Sequence, residues 1–161
     1  LNYREHLWTE SAARACWEQL LPLIDVIVTN RGVSEAVFGF TGSDEAVMRA
    51  YHEAFGCEWV CLTHRELFGL ERGAWSSKLL AGGRVFEGRR YEFENLDRYG
   101  TGDAYCAGVL YGYASGDAQY AVDFGNAACT LAHTVEGDVI PFTAPEVERL
   151  LGETIDLRIK R

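Results

Sequence analysis

The chain has 161 residues, 48% of them hydrophobic, and a formal net charge of −9. That length suits one domain with a sizeable core, and the composition lacks the low hydrophobicity of disordered chains. The acid excess and the scatter of the basic residues argue against nucleic acid as a partner, because phosphate backbones are bound by a basic face. The apolar runs are far shorter than a membrane span and no signal-peptide pattern opens the sequence, so a membrane role is not expected.

Five cysteines, Cys16, Cys57, Cys61, Cys106 and Cys129, form an odd set at no metal-ligand spacing. All lie among apolar neighbours, as reduced core residues of a cytoplasmic protein do. Cys57-x-x-x-Cys61 is the nearest approach to a metal motif. On a strand those two side chains would share a face, too far apart to chelate.

The sequence starts at Leu1 without methionine, and LNYREHLW reads as the end of a strand running into a helix. An entry in mid-domain is therefore expected. Thr9 or Ser11 can cap a helix through AARACWEQLL, which Pro22 closes. DVIVTN is a short buried strand, followed by a small helix over SEAVFG and a longer one over residues 44–55 with Ser43 as its cap. Gly56 ends that helix and EWVCLT forms the next buried strand. Continuous buried strands separated by helices predict a parallel sheet covered on both faces. The alternation then changes period, and residues 75–94 predict an antiparallel hairpin or meander turning at Gly82-Gly83. Helices are expected near 102–115, 117–132 and 144–151. The tail TIDLRIKR alternates and could form a last strand.

The stretch DRYGTGDAYCAG, residues 97–108, places glycines and an aspartate at the mouth of a packed helix. A glycine-rich turn entering a helix presents backbone N–H groups without partners, in the positive field of the helix dipole. Such a turn binds phosphate or stabilises developing negative charge. Gly100 and Gly102 allow close approach of a ligand. Asp103 has the wrong charge for a pure anion site, and two readings stand. Either it caps the helix, or it takes a proton from a hydroxyl while the N–H groups hold the phosphoryl group under attack. Ala104, Ala107, Gly108 and Gly112 are small on adjacent turns, so something must pack closely against this helix.

GTGDAYCAGVLYG resembles the C-terminal signature of the ribokinase-like (PfkB) carbohydrate kinases. LNYREHLW resembles the Asp-x-Asn-x-Arg strand end of 2-keto-3-deoxygluconate kinases. IDVIVTN with SEAVFG, VCLTHRE, the WSS stretch and FGNAACTLAHTVEGD follow in family order. The resemblance covers Leu1 to about Gly152 and only the C-terminal half of such kinases. It implies an α/β fold, the ribokinase-like three-layer sandwich, with a parallel sheet flanked by helices and an antiparallel hairpin at one edge. On this reading residues 1–161 are the C-terminal part of a carbohydrate kinase domain whose N-terminal half and lid lie elsewhere, and a sheet edge at the first strand should be open.

The resemblance implies ATP and Mg2+ as cofactors and a sugar acid, 2-keto-3-deoxygluconate, as phosphoryl acceptor. Asp103 would be the general base. Gly100, Thr101 and Gly102 would form the anion hole, Thr101 replacing the commoner small residue. Asn30 would lie near the phosphates and the magnesium waters, Thr63 and Arg65 on the strand bordering ATP, and Asn126 beside the adenine. Arg4 would contact the carboxylate or hydroxyls of the sugar acid, whose planar recognition suits a guanidinium. Asp97 falls where relatives bind a monovalent cation such as K+. One position departs from the family: Val33 stands where an acid is usual, which touches magnesium handling. The competing expectation is an inactive fragment, or a nucleotide-binding module that needs the N-terminal half; a homo-oligomer is the other way to complete the fold.

Overall fold

A computed structural model describes residues 1–152. The expected tail strand over 154–161 lies outside the described residues. Helix α1 (Glu10–Leu20) starts at Thr9, whose hydroxyl accepts the Ala12 amide at 3.2 Å. It ends in a 3₁₀ turn, Leu21–Leu23, where Pro22 fits because an early helical position needs no N–H donor. Strand β1 (Val26–Asn30) leads into α2 (Arg31–Val33), which widens into a π-helical turn over Ser34–Phe38. Helix α3 (Asp44–Phe55) is capped by Ser43 and ends at Gly56, both as expected.

Strands β2 (Trp59–Leu67), β3 (Arg72–Ala81), β4 (Arg84–Glu87) and β5 (Tyr91–Glu94) complete one sheet in the order β1-β2-β3-β4, with β5 also pairing β3. β1 and β2 are parallel, in register from Val26–Trp59 to Asn30–Thr63. The other pairings are antiparallel, so the described sheet is mixed rather than parallel throughout. The hairpin turns at Gly82-Gly83. β4 and β5 then lie one after the other along β3, opposite Lys78–Ala81 and Arg72–Trp75. The break between them falls at Gly88, where a Cβ would come within 2.4 Å of Asn126 Nδ2. Strand β2 runs to Leu67, beyond the buried stretch that sequence pattern detects, because its second half pairs β3 in solvent. As expected, β1 is a sheet edge. LNYREHLW is not a strand end, however: residues 1–4 have no regular structure and 5–7 form a turn. The Leu1 amino group alone reaches the edge, donating to the Val28 carbonyl.

Helices α4 (Thr101–Tyr113), α5 (Ala118–Ala132) and α6 (Ala144–Gly152) follow. The sheet is covered on both faces, in three layers. One core joins Trp17, Met48 and Tyr51 from α1 and α3 to Val60, Leu62 and Leu80 of the sheet. The other joins Trp59, Cys61, Trp75 and Leu79 to Tyr105, Val109 and Val122 of α4 and α5. Cys57 belongs to the first core and Cys61 to the second, so the two thiols do not share a face. Cys57 precedes the strand, where two-residue alternation does not yet apply. Burial pushes the Cys61 thiol up to about 12, consistent with a packing residue. Among the described residues no helix is long and apolar enough to cross a membrane.

The stripe of small residues on α4 packs as its pattern predicts. A Cβ on Gly108 would lie 2.8 Å from the Gly125 Cα, and one on Gly112 would lie 2.3 Å from the Ala121 Cα. Helix α5 also delivers Asn126, which is fully buried. Its Oδ1 accepts from Ser77 Oγ at 2.6 Å and Trp75 Nε1 at 3.1 Å, and its Nδ2 donates to the Arg89 carbonyl at 3.0 Å. Tyr105 of α4 joins this network, its hydroxyl 2.9 Å from Ser77 Oγ.

Two outcomes follow from this packing. In Gly112→Val the added carbons must push α5 away. Overpacking of this kind costs about 1–3 kcal/mol or more, against a helix-propensity gain below about 1 kcal/mol. The variant should therefore unfold at lower urea concentration than the parent; an unchanged midpoint would refute the contact. The second outcome concerns His133. Burial draws its imidazole from the ordinary 6.5 down to about 4. The ring stacks on Phe93 at 3.8 Å, Nδ1 lies 2.8 Å from the Cys129 carbonyl, and Nε2 has no partner. The unfolded chain then binds a proton that the folded chain refuses, so stability attached to His133 is complete above pH 6.5 and lost as pH falls toward about 4. Urea midpoints at pH 7 and pH 5 should drop more in the parent than in His133→Gln.

Candidate active site

The C-terminal ends of β1 and β2 and the N-terminus of α4 face one cleft of about 710 Å³. Parallel strands deliver their last residues side by side, and here Asn30 is paired with Thr63. In open α/β sheets ligands bind just outside such strand ends. Asn30, Thr63, Arg65, Gly102 and Asp103 all line the cleft. Five expected site residues, taken from three separate stretches of sequence, therefore meet.

The mouth of α4 differs from the other helix starts. Thr9, Asn30, Ser43 and Asp117 cap their helices with side-chain oxygens, whereas Gly100 stands at the N-cap of α4 and supplies none. Gly100 has φ +68°, a conformation that favours glycine, and a Cβ there would also strike the Asp138 carbonyl at 2.7 Å. A Cβ on Gly102 would meet nothing within 4 Å, so the backbone of the first turn is open to the cleft. Uncapped N–H groups at a helix N-terminus carry positive potential and suit an oxyanion or a phosphate. Asp103 is exposed in the same cleft. Among the described residues nothing hydrogen-bonds or ion-pairs with its carboxylate, and it does not cap the helix. The capping reading of Asp103 falls, and its carboxylate stands free beside the open turn.

Thr101 faces away from the cleft and is buried. Its hydroxyl donates to the Arg98 carbonyl at 3.1 Å and accepts from Arg65 Nη2 at 2.6 Å. The Arg65 guanidinium lies over the Trp75 ring, 5.3 Å from its centroid. Desolvation there lowers its pKa, with a further push from Arg98. Asn30 Oδ1 accepts the Val33 amide at 3.0 Å, and Thr63 Oγ1 donates to the Thr29 carbonyl at 3.1 Å. Asn30 is thus held by the turn that follows it and Thr63 by the neighbouring strand β1.

Three expected site residues lie elsewhere. Asn126 does not line the cleft; the inward face of α5 carries it into the core, where Oδ1 accepts from Trp75 and Ser77 and Nδ2 donates to the Arg89 carbonyl. Arg4 is exposed on the turn at 4–7, on a shallow surface with Tyr3 and Glu5, although neighbouring Asn2 lines the cleft. Asp97 accepts the amides of Arg98, Tyr99 and Gly137 at 2.6, 3.2 and 2.9 Å. Those three N–H groups, Gly137 foremost, hold its carboxyl below the usual range. Asp97 thereby ties the segment before α4 to the loop after α5.

Sequence reasoning passed over one cluster. Asp44 accepts Arg31 Nη1 at 2.9 Å and Lys78 Nζ at 3.0 Å, and lies 3.3 Å from His64 Nε2. Burial raises the Asp44 carboxyl, but Lys78 and Arg31 outweigh it and the net shift is downward. Arg31 and His64 reach the cleft wall. No local spacing announces this cluster, since its members come from two helices and two strands. The cleft therefore fits a phosphate group: an open helix mouth with cationic walls. Among the described residues no three His, Cys, Asp or Glu side chains converge on a metal position, and Val33 contributes no acid.

Comparison with known proteins agrees with this geometry. The pfkB family carbohydrate kinase model matches residues 1–145. The 2-dehydro-3-deoxygalactonokinase of Haloferax volcanii is 34% identical over 152 residues, covering 94% of this chain and 45% of the relative. The crystal structure of 2-dehydro-3-deoxygluconokinase from Thermotoga maritima superposes with a TM-score of 0.90 at 28% identity, over 95% of this chain and 49% of that one. A PfkB family carbohydrate kinase from Listeria grayi gives a TM-score of 0.88 at 29% identity, over 95% of this chain and 49% of that one. The chain thus spans about half the length of the relatives it matches. With the family model matching residues 1–145 and a relative 34% identical over 152 residues, the chain belongs to the PfkB family of carbohydrate kinases.

Proposed function

We propose that this chain carries the phosphoryl-transfer face of an ATP-dependent kinase acting on a sugar acid of the 2-keto-3-deoxygluconate kind. The observation that supports it most is the free carboxylate of Asp103 at the uncapped mouth of α4, in one cleft with Asn30, Thr63 and Arg65. ATP, when bound, supplies the γ-phosphoryl group. The N–H groups of Thr101 and Gly102 hold the phosphoryl oxygens as charge builds on them. Asp103 accepts the proton of the attacking hydroxyl as the bond from the γ-phosphorus to ADP breaks. Asn30 and Thr63 border the nucleotide phosphates, with Arg31 supplying positive charge from the cleft wall. The sugar-acid assignment draws on the substrates named for the relatives; Arg4 stands outside the cleft, two residues from Asn2, which lines it. Magnesium, when bound with ATP, would neutralise phosphate charge, held largely by the phosphates and water, with Asn30 at the strand end beside it.

Two measurements on the intact protein test this reading. Asp103→Asn should leave the melting temperature unchanged, because the carboxylate caps nothing and pairs with nothing. Turnover with 2-keto-3-deoxygluconate should fall by about 10²–10⁴-fold while the Michaelis constants move far less. Turnover within a factor of about three of the parent would remove Asp103 from the mechanism, since general-base losses are far larger. Gly102→Asp places a second carboxylate where the phosphoryl group should lie. Calorimetric titration with a magnesium–ATP analogue should then give saturable heat for the parent and none for the variant; identical isotherms would argue against the site.

A further inference from the structure

We propose that Arg65 is a positioning residue for the phosphoryl-binding turn, acting through the hydroxyl of Thr101. The inference rests on the kinase reading above for its functional consequence, but the lock itself is a feature of the fold.

Arg65 lies on β2 three residues beyond its buried stretch, which ends at Leu62, and Thr101 is the first residue of α4. Their side chains meet at 2.6 Å across 36 positions of sequence. Thr101 is 1% exposed, so its hydroxyl has no water to fall back on. It accepts from Arg65 and donates to the Arg98 carbonyl at 3.1 Å, which uses both of its principal capacities. A hydrogen bond from a charged donor is roughly twice as strong as a neutral one, and a buried acceptor deprived of it stays unsatisfied. The guanidinium is itself fixed. Trp75 lies beneath it at 5.3 Å, and the indole is held by Asn126 Oδ1 at 3.1 Å. Asn126, Trp75, Arg65 and Thr101 thus form a continuous run from the core of α5 to the turn. Among the described residues no carboxylate pairs with Arg65, so the contact is not the by-product of an ion pair made elsewhere.

The turn needs such a lock. Glycines at 100 and 102 let the backbone approach a ligand, and the same freedom lets the turn move. A misplacement of about 1 Å at a reacting centre can cost on the order of 10²-fold in rate. Threonine at 101 is therefore not a neutral residue in this turn. It is the acceptor that lets β2 hold the turn, and only together with an arginine at 65. Asn126, far from the ligand, becomes part of the support for that arginine.

The test is a double-variant cycle in the intact protein. Arg65→Met keeps the stem over Trp75 and removes the donor; Thr101→Val keeps the volume and removes the hydroxyl. Each should lower kcat by about 10–100-fold with the KM for ATP within about threefold, the pattern of a misplaced group rather than a lost contact. The double variant should be no worse than the worse single, because both break one interaction. Thr101→Ser, which retains the hydroxyl, should recover most of the turnover lost in Thr101→Val. Amide exchange at Gly102, Asp103 and Ala104, measured on the same proteins without substrate, should quicken by about tenfold in both singles and not in Thr101→Ser. Losses that multiply in the double variant would overturn the lock. So would an Arg65→Met enzyme with a KM for ATP raised tenfold beside a normal Thr101→Val, which would make Arg65 a direct phosphate contact. If the parent shows no turnover with ATP, the kinase reading fails and amide exchange alone decides: unchanged exchange in both singles refutes the lock, and quickened exchange upholds it as a feature of the fold.

Discussion

The direct contact between α4 and α5 is the constraint on which the site depends. At Gly108–Gly125 and Gly112–Ala121 the two helices approach so closely that a single added Cβ would lie 2.8 and 2.3 Å from backbone carbon. Ordinary helix pairs pack side chains between axes about 8–10 Å apart, and small residues at the seam remove that spacer. Because α5 packs on the sheet through Val122 and Ala121, the orientation of α4 is set by the sheet at one remove. Its N-terminus is thereby brought beside the ends of β1 and β2 instead of pointing into solvent.

Polar bonds refine what packing sets. Asn126, Ser77, Trp75 and Tyr105 form a buried network that joins α5, β3 and α4, every member of it partnered. Loss of one partner inside such a network leaves another group unsatisfied, at a cost of about 1–3 kcal/mol. The network therefore disfavours any sliding of α4 along α5. At the far side of the cleft the same logic operates with charge. Asp44 gathers Arg31, Lys78 and His64, which fixes the start of α3 against β2 and β3 and leaves two basic side chains on the cleft wall. Asp97 performs the corresponding task at the segment before α4, through three backbone amides.

These supports explain why the cleft can combine opposite charges. The open N–H groups of α4 attract an anion, while Asp103 repels it. In water the two would be mutually screened, but in a partly enclosed cleft with fixed donors each keeps its own role. The carboxylate does not occupy the donors as a cap would.

Local chemistry in the sequence determined most of the elements. Cap residues Thr9, Ser43 and Gly56, the two-residue turn Gly82-Gly83 and the alternation of buried runs mark their elements because each acts within a few residues of itself. The helix mouth at 100–103 was legible for the same reason: its glycines and aspartate are contiguous, and contiguity is what a turn requires. The small stripe on α4 likewise announced a close neighbour without saying which. Only the tertiary structure decided the rest. LNYREHLW reads as a strand end, yet only the Leu1 amino group reaches the sheet edge, and strand pairing is a property of two segments. Cys57 and Cys61 separate to opposite faces because the strand begins between them. Asn126 has the polarity of a ligand contact, yet the face of α5 it occupies is set by packing against the sheet, which turns it inward. The pairing of Arg65 with Thr101 and the gathering around Asp44 join residues far apart in sequence. No local pattern encodes such contacts, because their energy exists only once the sheet and the two helices have brought the partners together.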